Sequence, residues 1–162
     1  MINTDIAHIF YLLHGYTQTI TQCQKVLQMD PNFAAAHQLL GEAYAQKDMF
    51  DEAIAEFEKA SALGMNMKES IAYVYAASGQ RAKAEQLIHE LKEGARKGEF
   101  NEVGIAWTYA ALGEKDEAFR WLNEAYRRRV GALALLKVEP RFESLHSDPR
   151  FADLLRRMGL PS

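Results

Sequence analysis

Apolar positions recur along this chain at three- and four-residue spacings, the period of an amphipathic helix. Leu40, Gly41 and Tyr44 share one helix face, and Phe50 closes the turn beyond them. Ala53, Ile54, Phe57 and Ala60 repeat the spacing on a second helix. The small residues Gly41 and Ala53 predict a close approach of two backbones, with Tyr44 and Phe57 filling the space around it. Upstream, Thr4 or Asp5 is expected to cap a helix ending near His14, with Ile6, Ile9, Phe10 and Leu13 as its apolar face. Gly15-Tyr16 turns the chain into a helix over about 17–28 that buries Ile20, Cys23, Val26 and Leu27, and Asp30-Pro31 ends it. Downstream, Ile71, Ala72 and Tyr75 lead through Ser78-Gly79-Gln80 to Ala84, Leu87, Ile88 and Leu91, a helix whose end Gly94 and Gly98 weaken. A last pair starts near Phe100, uses Ile105, Ala106 and Tyr109, turns at Leu112-Gly113-Glu114 and continues with Ala118, Leu122 and Ala125.

The pattern repeats. Tyr16 to Phe50 is a step of 34 residues, Tyr44 to Tyr75 and Ala53 to Ala84 are steps of 31, and Tyr75 to Tyr109, Gly79 to Gly113 and Ala84 to Ala118 are again 34. That period belongs to helix–turn–helix solenoids. Leu40-Gly41-x-x-Tyr44, Ala53-x-x-x-Phe57-x-x-Ala60 and the preceding Asp30-Pro31 resemble the tetratricopeptide repeat pattern. The resemblance implies an all-α, right-handed superhelical solenoid of about four repeats, near 1–31, 32–64, 65–98 and 99–130. With a capping segment at 131–162, these form a single domain over 1–162. In the first repeat Ile6 and Ala7 stand where the leucine-glycine pair belongs. This fits either an atypical terminal repeat or a piece of a longer array.

The tail reads as a cover for the last repeat. A short apolar helix is expected over 131–138, stopped by Glu139-Pro140, with Phe142 and Leu145 anchoring a loop. Asp148-Pro149 is an N-cap with proline at the first helical position, followed by the stripe Phe151, Leu154, Leu155 and Met158, ended by Gly159 and Pro161. The segments Leu112–Ala118, Leu136–Phe142 and Ser147–Phe151 resemble the C-terminal end of repeat arrays in bacterial multidomain regulators, whose effector domains lie upstream.

Charge narrows the partners. The 162 residues carry 19 basic and 22 acidic side chains, a net −3, which offers no basic face for nucleic acid. One cysteine, Cys23, excludes an internal disulfide framework and reads as a buried small hydrophobe. No apolar run suggests a membrane span or a signal peptide, and a cytoplasmic location is expected. Arg127-Arg128-Arg129 falls at a helix C-terminus, where cations complement the dipole; a phosphate-binding patch is the alternative.

No catalytic, metal or cofactor constellation emerges. The five histidines include no i, i+4 pair, and phosphate-binding, nucleophile-elbow and calcium-loop motifs do not occur. Acidic stretches such as Asp51-Glu52 and Glu56-x-Glu58 read as solvated. Neither an enzyme nor a cofactor or metal is therefore expected. What remains is a surface. The family resemblance implies a concave groove lined by the first helix of each repeat: His8 and Tyr11, then Gln38, Glu42 and Gln46, then Glu69, Tyr73 and Ala77, then Phe100, Val103 and Trp107. Relatives that clamp the acidic tails of heat-shock chaperones carry Lys, Arg and Asn there. Here Gln, Glu, Tyr and Trp imply aromatic and apolar walls with an acidic end. The reading is a non-catalytic protein-interaction module that binds an apolar or basic-apolar segment of a protein partner through Gln38, Glu42, Glu69, Tyr73, Phe100, Val103 and Trp107. The alternative is self-association, as a homo-oligomer or as a structural segment of a larger bacterial regulator.

Overall fold

The computed structural model describes residues 2–160; Pro161, expected to end the last helix, lies outside them. Among the described residues the regular structure is entirely helical: α1 (Ile2–Leu12), α2 (Tyr16–Met29), α3 (Ala34–Ala45), α4 (Phe50–Ala62), α5 (Lys68–Ala77), α6 (Arg81–Arg96), α7 (Glu102–Ala111) and α8 (Lys115–Arg127). Two 3-10 turns, Gly131–Leu135 and Pro140–Leu145, lead to α9 (Pro149–Arg157). This is an all-α repeat fold.

The repeat is written into the backbone as well as the side chains. His14, Asp48, Gly79 and Gly113 all have φ between +58° and +77°, and they follow one another at steps of 34, 31 and 34. Each ends a helix, and the next residue's N–H closes the turn by donating five residues back: Gly15 to Phe10, Met49 to Tyr44, Gln80 to Tyr75 and Glu114 to Tyr109, at 2.7–3.0 Å. This Schellman closure satisfies a carbonyl that the helix leaves open. The recurrent aromatic and the left-handed residue four positions later thus belong to one device.

The chain divides into two compact units, Met1–Val74 and Tyr75–Ser162. In the first, a Cβ on Gly41 would lie 2.6 Å from Phe57 Cε1 and 3.0 Å from the Ala53 carbonyl, so α3 and α4 touch there as expected. Phe57, Ala53, Ala60, Ala45, Met67 and Val74 form one buried cluster. Ala7, Tyr11, Cys23, Leu39 and Leu40 form another, and Tyr44 packs against both. The second unit buries Ile88 and Leu91 of α6, Ile105 and Ala106 of α7, and Phe119 and Leu122 of α8. Its tail contributes Leu136, Phe142, Leu145, Phe151, Leu154 and Leu155.

Several local expectations need correction. α1 already runs from Ile2, so Asp5 lies in its first turn instead of capping it, where a carboxylate complements the dipole. Gly94 does not end α6, which continues to Arg96; it makes room for the side chains of Glu99 and Asn101. The segment 131–138 forms a 3-10 helix over Gly131–Leu135, shorter than expected. Residues 140–145 are also helical, because Glu139 caps them by accepting the Arg141 N–H at 3.3 Å and Pro140 suits the first position. Asp148 caps α9 as expected, accepting from Arg150 N–H at 3.0 Å. Met158 is the C-cap residue, beyond the buried stripe. Of the three arginines, Arg128 bonds Glu102 and donates to the Gly98 and Glu99 carbonyls at 3.0 Å, which fixes the α6–α7 connection.

Gly41→Ala should cost about 1–3 kcal/mol, since neither the Phe57 ring nor the Ala53 backbone has space to yield. Asp48→Gly should be neutral or gain up to about 1 kcal/mol by relieving a left-handed non-glycine residue. Urea unfolding of both variants measures the two effects.

Candidate functional site

In the first unit, the faces of α1 and α3 border an open cleft of about 220 Å³ lined by Thr4, Asp5, His8, Ala35, Gln38, Leu39 and Glu42. Gln38 and Glu42 stand one turn apart on α3, and the Gln38 amide donates to Glu42 Oε1 at 3.1 Å. Glu42 is 7% exposed. One turn further on, the Gln46 amide donates to the Tyr73 hydroxyl at 3.1 Å, which joins α3 to α5. Glu69 lies one turn before Tyr73, and both are half-buried. The first unit therefore brings Gln38, Glu42, Gln46 and Tyr73 onto connected helices. His8 is exposed at the cleft, while Tyr11 is fully buried in the core. Asp5 was not among the expected groove residues; its place, one turn before His8 on α1, is the signal that could have found it.

Behind the cleft lies a polar staple. His37 Nε2 donates to the Pro31 carbonyl at 2.9 Å, and His37 Nδ1 lies 2.5 Å from Glu56 Oε2. Glu56 also pairs with Lys59 at 2.7 Å, so it is half-buried and partnered, not solvated as its sequence neighbourhood implied. Cys23 is fully buried. Burial pushes its thiol up to about 12, with the negative charges of Glu42 and Glu56 adding to the shift.

The second unit disposes of its predicted residues differently. Val103 is buried. Phe100 is 64% exposed, with the Arg128 guanidinium 4.7 Å from its ring centroid. Trp107 is half-buried and covered by the tail: the Arg141 guanidinium lies 3.5 Å from its ring centroid, and Phe142 packs beside it at 6.3 Å. Glu139 holds Arg141 in place through two bonds of 2.7 and 3.0 Å, and both residues are buried. Glu-Pro-Arg reads in sequence as a helix stop, and nothing in it announces a buried ion pair stacked on an indole.

Among the repeated hairpins, residues 16–66 match the tetratricopeptide repeat family. That segment is a tetratricopeptide repeat segment. The crystal structure of YrrB, described as a TPR protein with an unusual peptide-binding site, is similar at 18% identity and a TM-score of 0.48, covering 96% of this chain and 82% of that one. No curated protein matches. The candidate residues fall on the first helix of their hairpins, α1, α3, α5 and α7, except Gln46, the C-cap of α3, and Phe100, which precedes α7. Among the described residues no helix is long and apolar enough to cross a membrane, and no three His, Cys, Asp or Glu side chains group as metal ligands would.

Arg141→Ala should cost about 3–5 kcal/mol, because Glu139 loses the cation it is buried with. Adding Glu139→Gln should recover part of that loss, and urea titration followed by tryptophan emission reports both. Cys23 should resist alkylation until the chain unfolds. Its folded thiol titrates near 12 against an ordinary value of 9.0, so the unfolded chain ionises first. Its contribution is complete below about pH 9 and is lost as pH rises toward 12. Cys23→Ala should show a shallower alkaline decline in melting temperature.

Proposed function

We propose that this tetratricopeptide repeat chain is a non-catalytic interaction module that holds a segment of a partner protein against α1, α3 and α5 of its first unit. The observation that carries this reading is the open cleft beside Glu42 and Gln38, continued along α3 and α5 by the Gln46–Tyr73 pair. A polar cleft flanked by an aromatic suits an extended or helical peptide, with Tyr73 as anchor and Gln38, Glu42 and Glu69 orienting the backbone and polar side chains. Phe100, Val103 and Trp107 contribute less, since Val103 is buried and Trp107 lies under Arg141 and Phe142. Selection from a random displayed-peptide library tests this. Selected peptides should lose about tenfold or more in affinity for the folded Tyr73→Ala variant. Peptides that bind wild type and variant equally would place the site elsewhere.

One observation favours a second reading, self-association. Ile6 and Ile9 on α1 and Leu13 just after it form a stripe that is 38%, 57% and 71% exposed. Sedimentation equilibrium should then show concentration-dependent mass that Ile9→Glu/Leu13→Glu abolishes. A monomer at all concentrations rules this reading out.

A further inference from the structure

We infer that the α1–α3 cleft is a recognition pocket for one cationic side chain, a lysine or arginine of the partner segment; this rests on the peptide-binding reading above and specifies its chemistry. Size comes first. At about 220 Å³ the cleft is smaller than the 300–1,000 Å³ typical of small-molecule pockets, and it suits a single long side chain. The lining supplies both parts of a snorkelling fit. Ala35 and Leu39 offer an apolar wall for an aliphatic stem, while Asp5 and Glu42 offer carboxylates for its head. No lysine or arginine belongs to the lining. His8 and the amide of Gln38 complete it, and the Gln38 amide holds Glu42 Oε1 at 3.1 Å.

Depth gives the charge its weight. Glu42 is 7% exposed, so its field is less screened by water than that of a surface carboxylate. That field is felt inside the unit, where Glu42 contributes to raising the buried Cys23 thiol. Asp5, by contrast, is exposed near the start of α1. An entering cation therefore meets Asp5 and Glu42 at different depths in a cleft that Ala35 and Leu39 also line. A neutral apolar side chain would leave both carboxylates without gain, and an acidic one would be repelled.

The test is an NMR titration of the full chain with four capped amino acids, the N-acetyl N-methylamides of lysine, arginine, norleucine and glutamate. The lysine and arginine probes should give saturable shifts at Ala35, Gln38 and Leu39. Norleucine, which has the lysine stem without its charge, should bind about five- to tenfold more weakly, and glutamate should give no localised shift. Glu42→Gln should weaken the cationic probes by a similar factor and leave norleucine unchanged. Asp5→Asn, at an exposed position where folding is not at risk, should weaken them less and reduce their salt dependence. Equal binding of norleucine and lysine, or no saturable shift at the cleft, overturns the inference. If selected peptides still bind through Tyr73 in that case, peptide recognition stands and only its cationic pocket falls; if they too fail, the wider reading falls with it.

Discussion

The Phe57 ring lies directly over Gly41, and the rest of the first unit depends on that contact. With no room for a Cβ, the register of α3 against α4 is fixed at one point to within a fraction of an ångström. Ala53 and Ala60 then fall into the same cluster as Phe57, and Tyr44 reaches across to the cluster of Ala7, Tyr11 and Cys23. The cleft inherits this register. Gln38, Glu42 and Gln46 lie on α3 about a quarter-turn from the Gly41 face, so packing Gly41 on Phe57 turns them toward α1 and α5. Glu42, 7% exposed, is tolerated there because it is partnered, accepting a hydrogen bond from the Gln38 amide at Oε1.

What the sequence made legible follows from how local each signal is. The all-α class, the hairpin spacing and the Gly41–Phe57 contact all rest on helical period and on small residues at defined steps, which act over three to seven positions. The left-handed turns were half legible. Gly79 and Gly113 announce themselves, whereas His14 and Asp48 adopt the same conformation with side chains that only moderately favour it. Helix ends were least legible: Gly94 reads as a breaker, yet it lies within α6 because Glu99 and Asn101 fold back over it. That is a tertiary demand, and it overrides propensity.

The candidate site was legible in part for the same reason. Repeat phase places Gln38, Glu42, Glu69 and Tyr73 on first helices. Phase says nothing of which faces the chain will cover for itself. Buried charged residues are the part that the sequence pattern shows least. Glu56, Glu102 and Glu139 are ordinary surface letters in sequence, but each is drawn inward by a partner far from it in the pattern or hidden by a proline: His37, Arg128 and Arg141. A carboxylate is buried only with such compensation, and the compensation is visible only once the helices are packed.

Magnitudes decide between the two faces that the family pattern offers. To expose Trp107, a ligand would have to displace Arg141 and Phe142, which pack on its ring and are themselves buried. For Phe142 that is about 1.5–3 kcal/mol, before the cost of parting Arg141 from Glu139 and from the indole. A peptide bound at about 1 μM has only about 8 kcal/mol in total. Any displacement cost is subtracted from what a ligand gains there, whereas leaving the tail in place costs nothing. The cleft beside Glu42 requires no such displacement: a ligand entering it meets space, an apolar wall and unequal depths of negative charge. On the proposed reading, recognition is an electrostatic matter at α1 and α3 with Tyr73 as its aromatic anchor, and its strength should depend on salt more than on tail packing.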